Sequence, residues 1–154
     1  MHSHKYFMKQ ALKEAKKAYI IGEVPIGAVI VLNDKIIARG YNKREKEESV
    51  ISHAEINAIK KANKKITSWR LEDAIMYVTL EPCPMCMGAI IQSRIKELYY
   101  GAKDPKTGAC GSILDLNIHK FNHQVKVEGG ILEEESSSLI KDFFKSLREN
   151  KLNN

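Results

Sequence analysis

The 154 residues suffice for one domain with a real core, and 44% hydrophobic with 29% charged content fits a soluble globular chain rather than a disordered or fibrous one. A net charge of +6 favours an anionic partner, nucleic acid first. Three cysteines, an odd count containing a C-x-x-C pair, argue against a secreted disulfide framework, and no run approaches the roughly 18 apolar residues of a membrane span. Behind the opening Met-His-Ser-His-Lys there is no apolar stretch, so no signal peptide and a cytoplasmic location are expected.

Residues 5 to about 21 are predicted to be an amphipathic helix, with Met8, Leu12, Ala15 and Tyr19 at spacings of three and four. Ile26 to Leu32 and Lys35 to Arg39 flank Asn33-Asp34 and predict a hairpin. Gly40 to about Ser52 is polar and is expected to be a loop. A helix follows over 53 to about 65, with Lys60, Lys61, Lys64 and Lys65 in its last turns, where they suit the helix dipole. Ala74 to Leu80 is apolar almost throughout, as in a strand covered on both faces. Pro84 opens a helix to about Arg94, and Glu97 to Gly101 makes a fourth strand. A glycine-containing loop (102–112), a short helix at 113–117 and a fifth strand at 124–128 come next. The last helix begins near Leu132, with Leu139, Ile140, Phe143, Phe144 and Leu147 in one stripe and a polar end at 149–154 that is expected to fray. This order implies an α/β protein: one domain over 1–154, with helices on both faces of one sheet.

Two motifs carry chemistry: His53-Ala54-Glu55, and Pro82-Cys83-Pro84-Met85-Cys86 about thirty residues on, across a strand. One imidazole and two thiolates can hold zinc and leave its fourth position open, the pattern of a catalytic rather than a structural site. Both motifs fall at expected helix starts, where the positive end of the dipole favours thiolate. Taken singly, C-x-x-C also fits a redox pair or half a zinc knuckle, Ser52 with Glu55 fits a capping box, and His53 fits an ordinary half-buried histidine. Taken jointly, H-x-E and P-C-x-x-C form the signature of zinc-dependent nucleobase deaminases.

The chain resembles the bacterial tRNA-specific adenosine deaminases over nearly its whole length. The resemblance rests on the runs at 23–29, 41–42, 53–55, 69–71 and 77–83, the Gly101–Gly108 loop, Asn122-His123, and the closing Phe143-Phe144 helix. It implies a three-layer α/β/α cytidine deaminase-like fold with a five-stranded mixed sheet, a homodimer, and conversion of adenosine to inosine at the wobble position of a tRNA anticodon. It implies His53, Cys83 and Cys86 as ligands of one Zn²⁺ per subunit. A zinc-generated hydroxide then attacks C6 while Glu55 shuttles protons and ammonia leaves. It also implies Asn42, Asp104 and Lys106 as substrate-binding residues; Ala54, Arg148 and Phe144 (with Phe143, as a face for base stacking) are further candidates. Lys103, Lys106, Lys141, Lys145 and Arg148 are candidates for phosphate contacts with the RNA. One departure is visible. Pro84 stands where these tRNA enzymes commonly carry valine, and Pro-Cys-Pro-Met-Cys is familiar in guanine deaminases of the same superfamily. A guanine or small-purine deaminase is therefore the alternative. A non-catalytic zinc module, with Cys110 as fourth ligand, is the reading from another class. His2 and His4 read as tail, while His119 and His123 carry no ligand spacing.

Overall fold

The computed structural model describes residues 1–153, and its five strands form one mixed sheet in the order β2-β1-β3-β4-β5. Helix α1 (His4–Ile20) starts at Ser3, whose hydroxyl accepts the Tyr6 amide at 3.1 Å and so satisfies one of the free N–H groups of the first turn. Its Phe7, Met8, Ala11, Ala15 and Ala18 are buried against the sheet, and each large apolar side chain so removed from water contributes about 1.5–3 kcal/mol. Strands β1 (Gly27–Leu32) and β2 (Lys35–Tyr41) form the antiparallel hairpin, and β1 also pairs antiparallel with β3 (Ile75–Leu80). Helices α2 (Ala54–Ile66) and α3 (Pro84–Gln92) follow β2 and β3. Strand β4 (Glu97–Ala102) runs parallel to β3, and β5 (Lys126–Glu128) parallel to β4. Helix α4 (Glu133–Asn153) closes the chain.

The period-two alternation of the strands divides the core into two layers. Ala28, Ile30, Met76, Val78, Leu98 and Tyr100 pack with α2 and α3, whereas Val29, Val31, Tyr77 and Tyr99 pack with α1. Helix α4 lies beside α1. Tyr19 of α1 meets Phe143 edge-on at 5.5 Å, and its hydroxyl donates to Asp142 at 2.6 Å. The three-layer α/β/α architecture is therefore the one expected. The sheet end that carries the start of β1 and the ends of β2, β3 and β4 is the end where α2 and α3 begin.

Several boundaries differ from expectation for local reasons. β2 runs on through Gly40 and Tyr41, because Gly40 pairs with Ala28 and lies directly under α2; a Cβ there would come within 2.6 Å of the Ala58 nitrogen. α3 ends at Gln92, since the Ser93 hydroxyl bonds back to Ile90 and Arg94 takes φ 68°. The short helix is a 3₁₀ turn at Leu116–Ile118, set by the Asp115 carboxylate accepting the Asn117 amide. β5 is short because the Asn117 side chain, instead of a strand, pairs with the Val125 backbone. The α4 stripe is only half docked: Phe143 is buried, while Phe144 and Leu147 each stay 40% exposed. His4 is no tail residue. It stacks on Tyr99 at 4.0 Å, and its Nδ1 lies 2.7 Å from the Tyr77 hydroxyl. His2 faces Asp34, and His123 Nε2 meets the Ile95 carbonyl at 2.6 Å. The expected fraying of 149–154 falls partly outside the described residues: α4 continues to Asn153, and Asn154 is not described. Among the described residues no helix is long and apolar enough to cross a membrane.

Candidate functional site

Two helix starts converge at that sheet end. His53 is the N-cap of α2 and Cys83 the N-cap of α3, with Pro84 in the first turn, where its missing N–H costs nothing. Neither N-cap side chain makes a capping bond to its own helix, so both are free for other partners. His53 Nδ1 lies 3.7 Å from Cys83 Sγ and 3.5 Å from Cys86 Sγ. Tetrahedral zinc, with Zn–S about 2.3 Å and Zn–N about 2.0–2.1 Å, sets sulfur and nitrogen donors roughly 3.6 Å apart. The three donors thus have the spacing that a single zinc ion needs, and they form the metal-competent cluster found among the described residues. Soft sulfur and imidazole donors favour zinc over magnesium or calcium.

The local electrostatics divide the two sulfurs, favouring thiolate at Cys83 and thiol at Cys86. A hydrogen bond from Cys86 holds the Cys83 thiol down at about 4 against the opposing effect of burial, and contact with His53 helps. That contact raises the His53 imidazole in turn, while the Cys86 thiol, facing a neighbouring thiolate, is pushed up. Cys110 does not complete the set. Its sulfur lies 3.6 Å from Met87 Sδ, outside the cluster, and burial pushes its thiol up to about 12, which keeps it neutral. The closed four-ligand module loses its one candidate ligand.

Glu55 is buried in the second position of α2. Burial raises its carboxyl to about 7, its own backbone amide opposes that rise, and the Cys83 charge adds to it. The capping box does not form. The Ser52 hydroxyl donates instead to Glu47 and accepts from Asn57, and the N-cap is His53. Glu55 is left with no structural duty at the helix start.

His53, Glu55 and Cys83 line the floor of a cavity of about 510 Å³, within the range of about 300–1,000 Å³ usual for small-molecule sites. Asn42, Ala54, Asp104, Lys106 and Phe144 line it, as do Lys103 and Lys141; Lys145 and Arg148 are exposed on α4 and are not among its lining residues. Asn42 follows β2 with its amide fixed at both ends, Nδ2 donating to Val24 O at 3.2 Å and Oδ1 accepting from Arg44 N at 3.2 Å. One N–H and one lone pair remain for a ligand. The Asp104 carboxylate is engaged within its own loop, accepting from the amides of Lys106 and Thr107 and from the Thr107 hydroxyl. Sequence reasoning missed Arg44 and the apolar walls Val24, Ile26 and Ile140. The Val-Pro-Ile run before β1 was a signal for the walls, whereas nothing near Arg44 marks it. It also missed Glu23, a buried acid whose two oxygens accept the amides of Glu45 at 3.1 Å and Lys46 at 2.8 Å, so fixing the loop that carries Arg44.

Comparison with known proteins agrees with this geometry. The MafB19-like deaminase family model matches residues 2–148. The chain is 51% identical to a tRNA-specific adenosine deaminase of Bacillus subtilis (strain 168), over 98% of this chain and 94% of the relative. It is similar to a solved structure from studies of A-to-I editing by tRNA:A34 deaminases at the wobble position of transfer RNA. The TM-score is 0.81 and the identity 43%, over 87% of this chain and 98% of that one. It also resembles the X-ray structure of a guanine deaminase from Bacillus subtilis, with TM-score 0.65 and 32% identity, over 96% of this chain and 95% of that one.

Proposed function

The chain belongs to the MafB19-like deaminase family and to the tRNA-specific adenosine deaminases, and from that premise we propose that it hydrolyses adenosine to inosine at the wobble position of a tRNA anticodon, using one zinc ion per subunit held by His53, Cys83 and Cys86. The observation that carries the reading is the cavity floor, where three donors at zinc spacing stand beside the buried Glu55 carboxyl. When bound, zinc supplies Lewis acidity that brings water from a pKa of ~15.7 toward ~7. Glu55 acts as the general acid and base. Its buried carboxyl accepts a proton from the attacking water and returns one to the ring nitrogen and then to the departing amine. Asn42, with its amide already oriented, presents its remaining N–H and lone pair to the base edge. Val24, Ile26 and Ala54 give the base an apolar wall and exclude water.

The target base must leave the stack, and a loop nucleotide does so at less cost than a duplex one. Arg44, Lys103, Lys106 and Lys141 surround the mouth and supply positive charge for flanking phosphates, with Asp104 fixing the turn that presents Lys106. Phe144, 40% exposed at the wall, offers a face for stacking. Arg148 extends the basic surface one helical turn further. The chain acts as a single deaminase domain in a cytoplasmic homodimer, and the exposed Ile113, Leu114, Ile118 and Phe121 give apolar surface for a second copy.

The experiment is direct. Inosine is expected in an anticodon stem-loop carrying adenosine at the wobble site, and metal analysis is expected to give one zinc per chain. Release of ammonia from free guanine, with the stem-loop untouched, would establish the guanine reading that Pro84 keeps open.

A further inference from the structure

One buried acid at the cavity has no task in this chemistry. Glu81, 2% exposed, stands between the end of β3 and Cys83. Its Oε1 accepts from the Asp104 amide at 3.1 Å and from the Ser112 hydroxyl. Its Oε2 accepts from the amides of Cys110 at 2.9 Å and Ser112 at 3.2 Å. These partners come from both ends of the 103–112 loop, so a single carboxylate closes the whole loop. Gly108 lies over the carboxyl so closely that a Cβ there would collide with it. The adjoining main chain is tied to the same segment, Glu81 N donating to Ala102 O and Ala109 N to Pro82 O, each at 2.8 Å.

Within the loop the Asp104 carboxylate fixes the 104–107 turn, and Ala109 is packed in the core, but Glu81 is the side chain that ties the two ends together. Lys103, Pro105, Lys106 and Thr107 are exposed, and among residues 103–112 only Gly108 and Ala109 are buried. Apolar burial anchors only the Ala109 end, so the exposed 103–107 stretch depends on hydrogen bonds to charged acceptors, Asp104 within the turn and Glu81 beneath it. We propose that Glu81 is a positioning residue for substrate recognition: its carboxylate folds the 103–112 loop so that Lys103 and Lys106 meet the phosphates flanking the target adenosine at a fixed distance from the His53–Cys83–Cys86 floor. This rests on the RNA-deaminase reading above. It also separates Glu81 from Glu55: one acid serves the reacting base, the other the backbone that delivers it.

Replacement by glutamine is a sharp probe. An amide sets its NH₂ either against the Cys110 and Ser112 amides, breaking two of the four bonds, or against the Asp104 amide and the Ser112 hydroxyl, which can turn to accept, breaking at least one. With zinc-loaded full-length protein and a wobble-adenosine stem-loop, Glu81→Gln is expected to keep its metal and raise KM on the order of tenfold, more than it lowers kcat. The salt dependence of KM should become shallower by about 0.7 logarithmic units per log unit of salt for each phosphate that the lysines no longer neutralise. The double substitution Lys103→Ala/Lys106→Ala should cost less in the Glu81→Gln background than in wild type, because the lysines act through the loop that Glu81 folds. Additive costs, an unchanged salt slope, loss of zinc, or a defect confined to kcat would each overturn the proposal. If Glu81→Gln does not fold, Ser112→Ala removes one of the four bonds and is expected to show the same split and non-additivity at smaller size; additive costs there overturn it equally. Wild-type protein that leaves the stem-loop unmodified would instead overturn the RNA-deaminase reading, and this inference with it.

Discussion

The floor and the rim of the cavity are built by different means. The floor is His53, Glu55 and Cys83, with the buried Cys86 sulfur behind it, set by two helix starts against the central strands. The rim is Asn42, Arg44, Lys103, Lys106, Lys141 and Phe144, set by two loops and a half-docked helix. Regular structure and burial fix the floor. The loops of the rim are each organised around one buried carboxylate, Glu23 on one side and Glu81 on the other. Under the proposed function the difference is a division of labour: the floor would determine whether the reaction occurs, and the rim how well an RNA is held for it.

Substitutions test that division. The largest effect is expected from Cys86→Ser, which removes a fully buried donor; metal content should fall well below one per chain and inosine formation to background, at any RNA concentration. Glu55→Gln should retain zinc and lower kcat by about 10²–10⁴-fold with KM little changed. A zinc-loaded Glu55→Gln protein with full turnover would remove Glu55 from the mechanism. Asn42→Ala stands between floor and rim. It frees the Val24 carbonyl and the Arg44 amide, and kcat/KM should fall on the order of ten- to a hundredfold. At the rim, Phe144→Ala should raise KM by roughly tenfold through the loss of stacking and leave metal content alone. Smallest of all, Cys110→Ser should leave zinc and activity within about twofold, since a neutral thiol against Met87 does neither task. A rim variant that lost zinc, or a floor variant rescued by saturating RNA, would erase the distinction.

Legibility follows the same line. The ligands could be read because their geometry is local: C-x-x-C occupies one helical turn, and H-x-E places ligand and acid across a helix start. The bland alternative for Glu55 could not be dismissed from the chain, because Ser52 and Glu55 have capping-box spacing; only the packing of Ser52 against Glu47 and Asn57 removed it. Gly40 was expected to be loop and is strand, because what decides it is α2 lying on its backbone. Phe143 and Phe144 share a sequence pattern, yet one is core and the other is cavity wall.

The sequence by itself determined the donor set, the order of helices and strands, and the helix starts that carry the donors, because hydrophobic period, helix starts and ligand spacing act over a few residues. Only the tertiary structure decided the rim. Glu23 reaches amides 22 and 23 residues away, and Glu81 reaches amides 23 to 31 residues away. A carboxylate accepts from any N–H that the fold brings near it, so no spacing in the chain announces its partners.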